Sequence, residues 1–397
     1  LQTFKSRIRR CFQLLIRINK YTSAMKYPIG LQSFEQLIED GYVYVDKTDM
    51  VYSLATEGKI YFLSRPRRFG KSLLVSTLKN YFLGRKELFK GLKIDSLEKD
   101  WKVYPVFHLD FNGGDFTHKG VLEQWISDFI SLWEDKYELK SNPNNPIGLR
   151  FLRLLEHAHN IHGCRAVVLV DEYDKPILDV LGVDKNLEEE HRNILKGFYS
   201  VFKSADEHLQ FVFLTGVTKF SQVSVFSGFN QPFDISMHGK YETLCGISQA
   251  ELEATFREPI DKMREFYRCS YDEMMTMLKS QYDGYHFSDN MTDVYNPFSL
   301  LNAFSIKRIS DYWFKSGTPA YLIRLLSHTN ENMNEITEKY YSAEEFIDYK
   351  ATVEQPLPMI YQSGYLTIKD FNLRRNAFLL DYPNNGVKKG FLSLIAG

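Results

Sequence analysis

The stretch Ile60-Tyr-Phe-Leu-Ser-Arg-Pro-Arg-Arg-Phe-Gly-Lys-Ser72 decides the fold class of this chain. Residues 60–63 are apolar and short enough for a buried strand, and apolar side chains at helical spacing predict a helix over 71–81. The loop between them, residues 64–70, ends in a glycine directly before the helix. Backbone N–H groups of such a loop and of the helix N-terminus attract an anion, so residues 64–70 are predicted to be a phosphate loop.

Lys71 and Ser72 supply the side chains that such a site needs. A lysine at this position reaches the β- and γ-phosphates of a nucleotide, and the serine hydroxyl is a ligand for Mg²⁺. The full pattern has a glycine five positions before Gly70, where this chain has Arg65. Because a bare Gly-Lys-Ser or Gly-Lys-Thr occurs by chance in roughly one chain in five of this length, a second signal is needed.

That signal is the apolar run Ala166-Val-Val-Leu-Val170, followed by Asp171 and Glu172. It predicts a buried strand that ends beside the phosphate loop, with Asp171 holding Mg²⁺ and Glu172 polarising the attacking water. The alternative is a core strand that ends in a solvated acidic turn. A further strand, Phe211-Val-Phe-Leu214, precedes Thr215, which is predicted to sense the γ-phosphate or, alternatively, to belong to a surface turn.

Composition and charge exclude several classes of protein. With 44% hydrophobic and 25% charged residues over 397 positions, the chain is not wholly disordered and has room for about two to three domains. Residues 1–24 carry six basic residues and no acid, so the remainder of a chain of net charge −1 is mildly acidic. This excludes nucleic-acid binding over the whole surface but leaves a local basic groove open.

The cysteines and the apolar runs indicate the compartment. The four cysteines have no short spacing, which argues against a disulfide framework and for a reducing environment. No apolar run reaches the length of a membrane span. We therefore predict a cytoplasmic protein without a membrane partner.

The distribution of strands and helices divides the chain into three parts. Residues 1–24 form a basic leader. Strands that alternate with helices predict an α/β fold over 25–245, namely a P-loop NTPase parallel sheet with helices on both faces. Residues 246–397 are predicted to be mostly helical and to end in a small β-hairpin over 365–381, for which a winged-helix-like arrangement is one interpretation.

Local patterns predict finer boundaries. A helix is expected over 34–39, a strand over 42–45 and another helix over 121–136. Ser248 and Glu251 form the Ser-x-x-Glu pattern of a capping box, so a helix is expected to begin there.

Longer segments add a second kind of information. They are Tyr27-Pro-Ile-Gly30, Tyr44-Val-Asp-Lys-Thr48, Ser64-Arg-Pro-Arg-Arg-Phe-Gly-Lys-Ser72, Val170-Asp-Glu-Tyr-Asp-Lys-Pro176, Leu214-Thr-Gly-Val-Thr-Lys-Phe-Ser221, Tyr282-Asp-Gly-Tyr285 with Phe287, Tyr295-Asn-Pro-Phe298 and Ser363-Gly-Tyr-Leu366. Together they resemble the bacterial AAA-ATPase-like family over roughly residues 27–385. The loop of that family also reads Arg-Pro-Arg-Arg-Phe-Gly-Lys, so the resemblance accounts for Arg65. It implies a P-loop ATPase that binds ATP and Mg²⁺.

The resemblance also implies a neighbouring domain. Members of this family often carry a C-terminal nuclease-like domain of the PD-(D/E)xK type, which is therefore expected in the full-length protein. This chain shows no convincing strand-borne Glu-x-Lys with an upstream acidic partner, so no nuclease activity is assigned to it. The apolar stretch at residues 391–397 leads us to expect that the chain continues.

The predicted site draws on three strand ends. Catalytic roles are expected for Lys71, Glu172 and Thr215. Mg²⁺ ligands are expected to be Ser72 and Asp171, and nucleotide contacts are expected from Arg67, Arg68, Phe69, Gly70, Lys71, Ser72 and Leu73. For Arg67 and Arg68, contact with nucleotide phosphates, contact across a subunit interface of an oligomer and plain solvation remain alternatives.

We predict Mg²⁺-dependent ATP binding and hydrolysis coupled to an unknown conformational or nucleic-acid-related process, with a nucleic acid or a protein as further partner. One alternative is a nucleotide-gated regulatory or binding module with negligible turnover. Another is a DNA-associated protein that uses Arg374 and Arg375 of the hairpin, or the basic leader.

Overall fold

The structure, a computed structural model, describes residues 25–219, 232–316, 320–328, 335–347 and 356–396. The predicted basic leader lies outside the described residues, as does the end of the segment Leu214–Ser221. In the part of the chain that is described, no helix is long and apolar enough to cross a membrane.

A five-stranded parallel sheet forms the centre of the N-terminal part. Its strands are β1 (Ile60–Ser64), β2 (Val106–Asp110), β3 (Ala166–Asp171), β4 (Leu209–Gly216) and β5 (Phe233–Asp234). They pair in the order β2-β3-β4-β1-β5, and every pair is parallel. Strand β3 is buried at all its positions, as expected for a near-continuous apolar run covered on both faces. This confirms the predicted α/β fold.

Nine α-helices accompany these strands over residues 25–219. They are α1 (Phe34–Glu39), α2 (Thr48–Glu57), α3 (Lys71–Phe82), α4 (Lys93–Leu97), α5 (Val121–Lys136), α6 (Ile147–His162), α7 (Lys175–Val180), α8 (Lys185–Tyr199) and α9 (Val201–Ser204). Helices α1 and α5 have the predicted bounds. The strand predicted over 42–45 is wrong: Tyr42 forms a single bridge with Lys26. Its apolar side chains Val43 and Val45 instead pack against helices of the later part of the chain.

The described residues of 246–396, here called the C-terminal region, are mostly helical. Their elements are β6 (Ile247–Ser248), α10 (Gln249–Tyr267), α11 (Tyr271–Tyr282), β7 (Val294–Tyr295), α12 (Pro297–Ile306), α13 (Tyr312–Lys315), α14 (Ala320–His328), β8 (Lys339–Ser342), α15 (Ala343–Phe346), α16 (Leu357–Gln362), β9 (Thr367–Asn372), β10 (Ala377–Asp381) and α17 (Asn385–Ala396). The predicted capping box opens α10: the Ser248 hydroxyl accepts from the Glu251 N–H, and the Glu251 carboxylate accepts from the Ser248 N–H at 2.9 Å.

The predicted hairpin is confirmed and gains a third strand. Strands β9 and β10 pair antiparallel, and β8 pairs with the other edge of β10. The described elements therefore run helix α14, strand β8, helices α15 and α16, then the hairpin, in the sheet order β8-β10-β9. This order, with the first strand beside the last, is compatible with the winged-helix-like arrangement, which stays an interpretation.

The largest apolar core runs across the predicted boundary at 245/246. It joins strand residues such as Leu63 and Val168 to Tyr285, Phe287 and Trp313 of the C-terminal region. Likewise, Met25 and Tyr27 of the N-terminal part pack against the helical core of the C-terminal region. The two parts are thus packed together, and the division at 245/246 stays a prediction.

Asp283, which follows α11, provides a test of this packing through pH. Its side chain is 1% exposed, and burial, only partly offset by the Gly284 N–H, raises its pKa from 3.8 to about 6. A carboxyl group with a raised folded-state pKa makes the protein lose stability as pH rises from about 4 to about 6.

The substitution Asp283→Asn removes this titration. We expect the free energy of unfolding of the variant, relative to the parent, to rise by about 2 kcal/mol between pH 4 and pH 7, as measured by urea denaturation. Asp115→Asn is the control with the opposite sign, because hydrogen bonds from Thr117 lower the pKa of the Asp115 carboxyl. A difference between the Asp283 variant and the parent that does not change with pH would contradict this expectation.

Candidate nucleotide-binding site

The phosphate loop turns into α3 through a left-handed backbone. Gly70 has φ 94° and is the N-cap of α3, and Arg68, two residues earlier, has φ 68°. The first helical hydrogen bond runs from the Leu74 N–H to the Gly70 carbonyl at 3.0 Å. A glycine adopts this conformation without the steric penalty of a side chain, which explains the glycine directly before Lys71.

Lys71 and Glu172, which are far apart in the sequence, meet at this helix end. The Lys71 ammonium lies 3.5 Å from Glu172 Oε1 and is only 4% exposed. It also donates a hydrogen bond of 3.2 Å to the carbonyl of Arg65. A buried cation is therefore held at the start of α3, beside the carboxylate at the end of β3.

Ser72 and Asp171 are also brought together. The Ser72 side chain lies close enough to the Asp171 carboxylate to lower its pKa, and Asp171 is 2% exposed. Burial and then the neighbouring Glu172 charge raise the pKa of Asp171 to about 7, against the lowering effect of Ser72 and Lys71. Among the described residues, no cluster of three or more His, Cys, Asp or Glu side chains forms a metal site. A hydroxyl and a carboxylate fit Mg²⁺, which usually takes few protein ligands and completes its shell with water and phosphate.

Glu172 occupies a strained backbone position. Strand β3 ends at Asp171, and Glu172 has φ 52°, in the left-handed region that favours glycine. Its N–H donates 3.0 Å to Asp171 Oδ1. Strain of this kind costs about 1–3 kcal/mol and concentrates at functional sites, which singles out Glu172 among the residues at the strand ends.

A cavity of about 430 Å³ lies in front of the loop. Arg67 and Arg68 are exposed at it, with their guanidinium groups 5.7 Å from the Tyr321 ring centroid and 5.0 Å from that of Phe298. Of the predicted residues, those that line this cavity are Arg67, Arg68, Gly70, Lys71, Ser72, Leu73 and Glu172.

The Phe69 side chain is not among the residues that line this cavity. It is 1% exposed and lies edge-on to the rings of Tyr285 and Phe287, at centroid distances of 4.8 and 5.5 Å. The sequence offered no sign of this, because both rings come from the C-terminal region. The side chain anchors the loop and also lines a second, smaller cavity, and nucleotide contact by Phe69 stays a prediction.

A smaller, largely apolar cavity of about 100 Å³ adjoins the first. It lies between the segment 43–45, the first turns of α3 and the segment 244–247. The two cavities share Pro28, Gly70, Leu73, Pro297 and Leu301. The sequence contained no motif for this pocket, since its walls come from parts of the chain that lie far apart in the sequence.

Thr215 is placed differently from the other predicted residues. It lies at the carboxyl end of β4 but is fully buried, and its hydroxyl donates 2.9 Å to the Leu63 carbonyl of β1. Thr215 does not line the cavity in this conformation. Its role as a γ-phosphate sensor therefore stays a prediction, while the hydrogen bond between strands is observed.

Sequence reasoning missed two charged residues beside the site. Asp174 is fully buried, and its Oδ2 accepts from the N–H groups of Val217 and Thr218 at 3.0 and 2.6 Å. It thereby fixes the chain as it leaves β4. Lys175 lines the cavity and donates 2.7 Å to the Gly114 carbonyl. Both residues follow Glu172 in the segment Val170–Pro176, and this resemblance to the family segment was the sequence signal that could have identified them.

The comparison with protein families decides the relationship. A family profile described as "Predicted AAA-ATPase" matches residues 28–226. A protein of Azotobacter chroococcum mcd 1, described as an uncharacterized protein in the vnfD 5' region, is 37% identical over 375 residues, or 92% of this chain and 69% of that protein. The chain belongs to the predicted AAA-ATPase family.

Solved structures show weaker similarity to this chain. The Aeropyrum pernix ORC1 protein in complex with DNA is 11% identical, with a TM-score of 0.29 over 87% of this chain and 90% of that one. Cdc6p from Pyrobaculum aerophilum is 13% identical, with a TM-score of 0.33 over 94% of this chain and 96% of that one. At such values the fold assignment rests on the strand order of this chain itself.

The substitution Thr215→Val tests the hydrogen bond between β4 and β1. Valine keeps the shape of threonine but lacks the hydroxyl, so we expect the free energy of unfolding to fall by about 1 kcal/mol. The measurement is urea denaturation without nucleotide. Thr56→Val, an exposed position on α2, is the control and should change stability by less than about 0.5 kcal/mol. Equal stability of the Thr215 variant and the parent would argue against a structural role of the hydroxyl.

Proposed function

We propose that this protein binds ATP with Mg²⁺ and hydrolyses it. One observation carries the proposal: Lys71, at the start of α3, lies 3.5 Å from Glu172 at the end of β3, and both line the same cavity of about 430 Å³. Ligands of parallel α/β sheets bind at the carboxyl ends of the strands. The family relationship supports the nucleotide, because its members are described as predicted ATPases.

The phosphates bind at the N-terminus of α3 in this proposal. The loop N–H groups and the positive end of the helix attract the anion. Lys71, held by the Arg65 carbonyl and Glu172, exchanges these contacts for phosphate oxygens. Arg67 and Arg68, exposed at the same cavity, supply further positive charge.

Ser72 and Asp171 hold Mg²⁺ in this proposal, and the ion neutralises charge on the phosphates. The pKa of Asp171 is raised to about 7 by burial and by the Glu172 charge, so a nearby cation favours its ionised form. Glu172 orients and polarises the water that attacks the γ-phosphate. In this proposal the Glu172 carboxylate lies beside that of Asp171 and is not itself a ligand of Mg²⁺.

The base is proposed to occupy the smaller apolar cavity. That cavity shares lining residues with the larger one, among them Gly70 and Leu73. An aromatic base gains hydrophobic stabilisation there, and the phosphates then extend across Gly70 towards Lys71.

Two substitutions separate binding from turnover. Lys71→Ala removes the buried cation, and we expect ATP affinity to fall about 10- to 100-fold, since a charge-assisted hydrogen bond contributes about 1.5–3 kcal/mol. Glu172→Gln keeps the shape but not the base, and we expect affinity to be spared while turnover falls by about 10²- to 10⁴-fold. Phosphate release and calorimetric titration with Mg²⁺·ATP measure the two effects.

The exposed Lys307→Ala variant is the control and should match the parent in both assays. Turnover of the Glu172 variant at the parent rate would refute the role of Glu172. ATP binding by the parent without phosphate release would instead indicate the nucleotide-gated module. Cytoplasmic localisation, an oligomeric state and a nuclease-like neighbouring domain remain predictions.

A second candidate function, nucleic-acid association, is favoured by the hairpin tip. Leu373 is 82% exposed, and the adjacent Arg374 and Arg375 are exposed as well. An apolar residue followed by two arginines suits insertion into a groove of DNA. Helix α16, which precedes the hairpin, is largely buried, so contact is expected from the tip rather than from this helix.

The double substitution Arg374→Ala with Arg375→Ala tests the hairpin tip. If the tip binds DNA, the slope of log affinity against log salt concentration should become shallower by about 2. Fluorescence anisotropy with a labelled DNA duplex measures the slope. The control is the double substitution Lys307→Ala with Arg308→Ala, which removes the same charge from two exposed residues. Identical slopes for the hairpin variant and the parent would exclude the tip as the contact.

A further inference from the structure

The phosphate loop is held from outside the sheet by aromatic residues of the C-terminal region. The Phe69 ring is enclosed by Tyr285 and Phe287. The Arg65 guanidinium, which is 1% exposed, lies 4.1 Å from the centroid of the Phe287 ring. Movement of the loop therefore separates buried aromatic contacts, which contribute beyond their buried area.

Trp313 makes a directional contact with the same loop. Its indole N–H donates 3.0 Å to the carbonyl of Arg67. Its ring is 9% exposed and packs against Tyr365 at a centroid distance of 5.0 Å. The accepting carbonyl directly precedes Arg68, whose φ of 68° is unfavourable for any residue other than glycine. The hydrogen bond thus stabilises the loop at its strained residue.

A third contact brings the backbone of Gly364 close to the Pro66 ring. Gly364, just after α16, has φ 89°, and a Cβ atom there would lie 2.6 Å from Cβ of Pro66. Nearby, the Gln362 side chain of α16 accepts from the N–H of Lys219 at 2.8 Å, at the exit of β4. The segment 362–364 is therefore docked against both the phosphate loop and the neighbouring strand end.

These contacts reach Arg65, Pro66, Arg67 and Phe69, four of the residues between β1 and α3. We propose that the C-terminal region sets the shape of the phosphate loop, with Trp313 as a positioning residue that acts through the Arg67 carbonyl. One consequence rests on the proposed function. A nucleotide on the loop and the docked C-terminal region should stabilise each other, because coupling between two sites is reciprocal.

The first test needs no nucleotide. Trp313→Phe keeps an aromatic ring against Tyr365 but removes the N–H donor. Hydrogen exchange of the backbone amides of residues 67–72 should become about five- to tenfold faster, as expected for the loss of one hydrogen bond. Trp133→Phe is the control: Trp133 is buried against Phe107 and Phe151, and this change should leave exchange of residues 67–72 within about twofold of the parent. Unchanged exchange in the Trp313 variant would overturn the proposal.

Gly364→Ala is a second variant, which disturbs the contact between Gly364 and Pro66. It should also accelerate exchange of residues 67–72, with the secondary structure checked by circular dichroism. If Trp313→Phe unfolds the protein, this variant decides: faster exchange in the loop supports the proposal, and parental exchange overturns it.

The second test uses Mg²⁺·ATP. We expect Trp313→Phe to weaken ATP binding about five- to tenfold and to leave turnover at saturating ATP within about twofold, because the residue positions the loop and not the water. In the parent, ATP should slow exchange of residues 357–366 as well as of the loop. ATP protection confined to the loop would overturn the reciprocal coupling. Failure of the parent to bind ATP would refute the proposed function, and the nucleotide-free exchange would still decide the role of Trp313.

Discussion

The parallel pairing of β1, β4, β3 and β2 is the constraint on which the rest of the structure depends. Its register places Ser64 opposite Gly216 and Asp110 opposite Asp171. The carboxyl ends of the strands therefore lie along one edge, where ligands of such sheets bind. Lys71 and Glu172 come within 3.5 Å of each other only because this pairing brings the ends of β1 and β3 to the same edge.

Arg65 changes how the phosphate loop is built. A glycine at this position would shape the loop through its own backbone freedom. The Arg65 guanidinium instead donates to the carbonyls of Ser236 and Tyr241 at 2.7 and 3.2 Å and lies over Phe287. A buried cation with these partners ties the loop to distant segments, since leaving it unpaired would be strongly unfavourable. Arg65 consequently ties the loop to residues 236–241 by hydrogen bonds and to the C-terminal region through Phe287.

Elements with strong local signals could be predicted from the sequence. In helix α5 and in the hairpin β9–β10, apolar residues recur at the helical or alternating spacing that places them on the buried face. The strand predicted over 42–45 failed because an alternating apolar segment suits any half-buried surface, and here that surface is a set of helices. Strand β8 was not predicted because its first residues, Lys339 and Tyr340, are exposed and carry no apolar alternation.

The sequence by itself determined the chemistry available to this protein: a Gly-Lys-Ser turn before a helix, and a buried strand that ends in two carboxylates. These are local patterns, because backbone conformation and burial at a strand end depend on neighbouring residues. Only the tertiary structure decided what each group contacts. It directs the Thr215 hydroxyl to Leu63 and the Phe69 ring into the C-terminal region. Partners of this kind come from segments far apart in the chain, and only packing determines which of them meet.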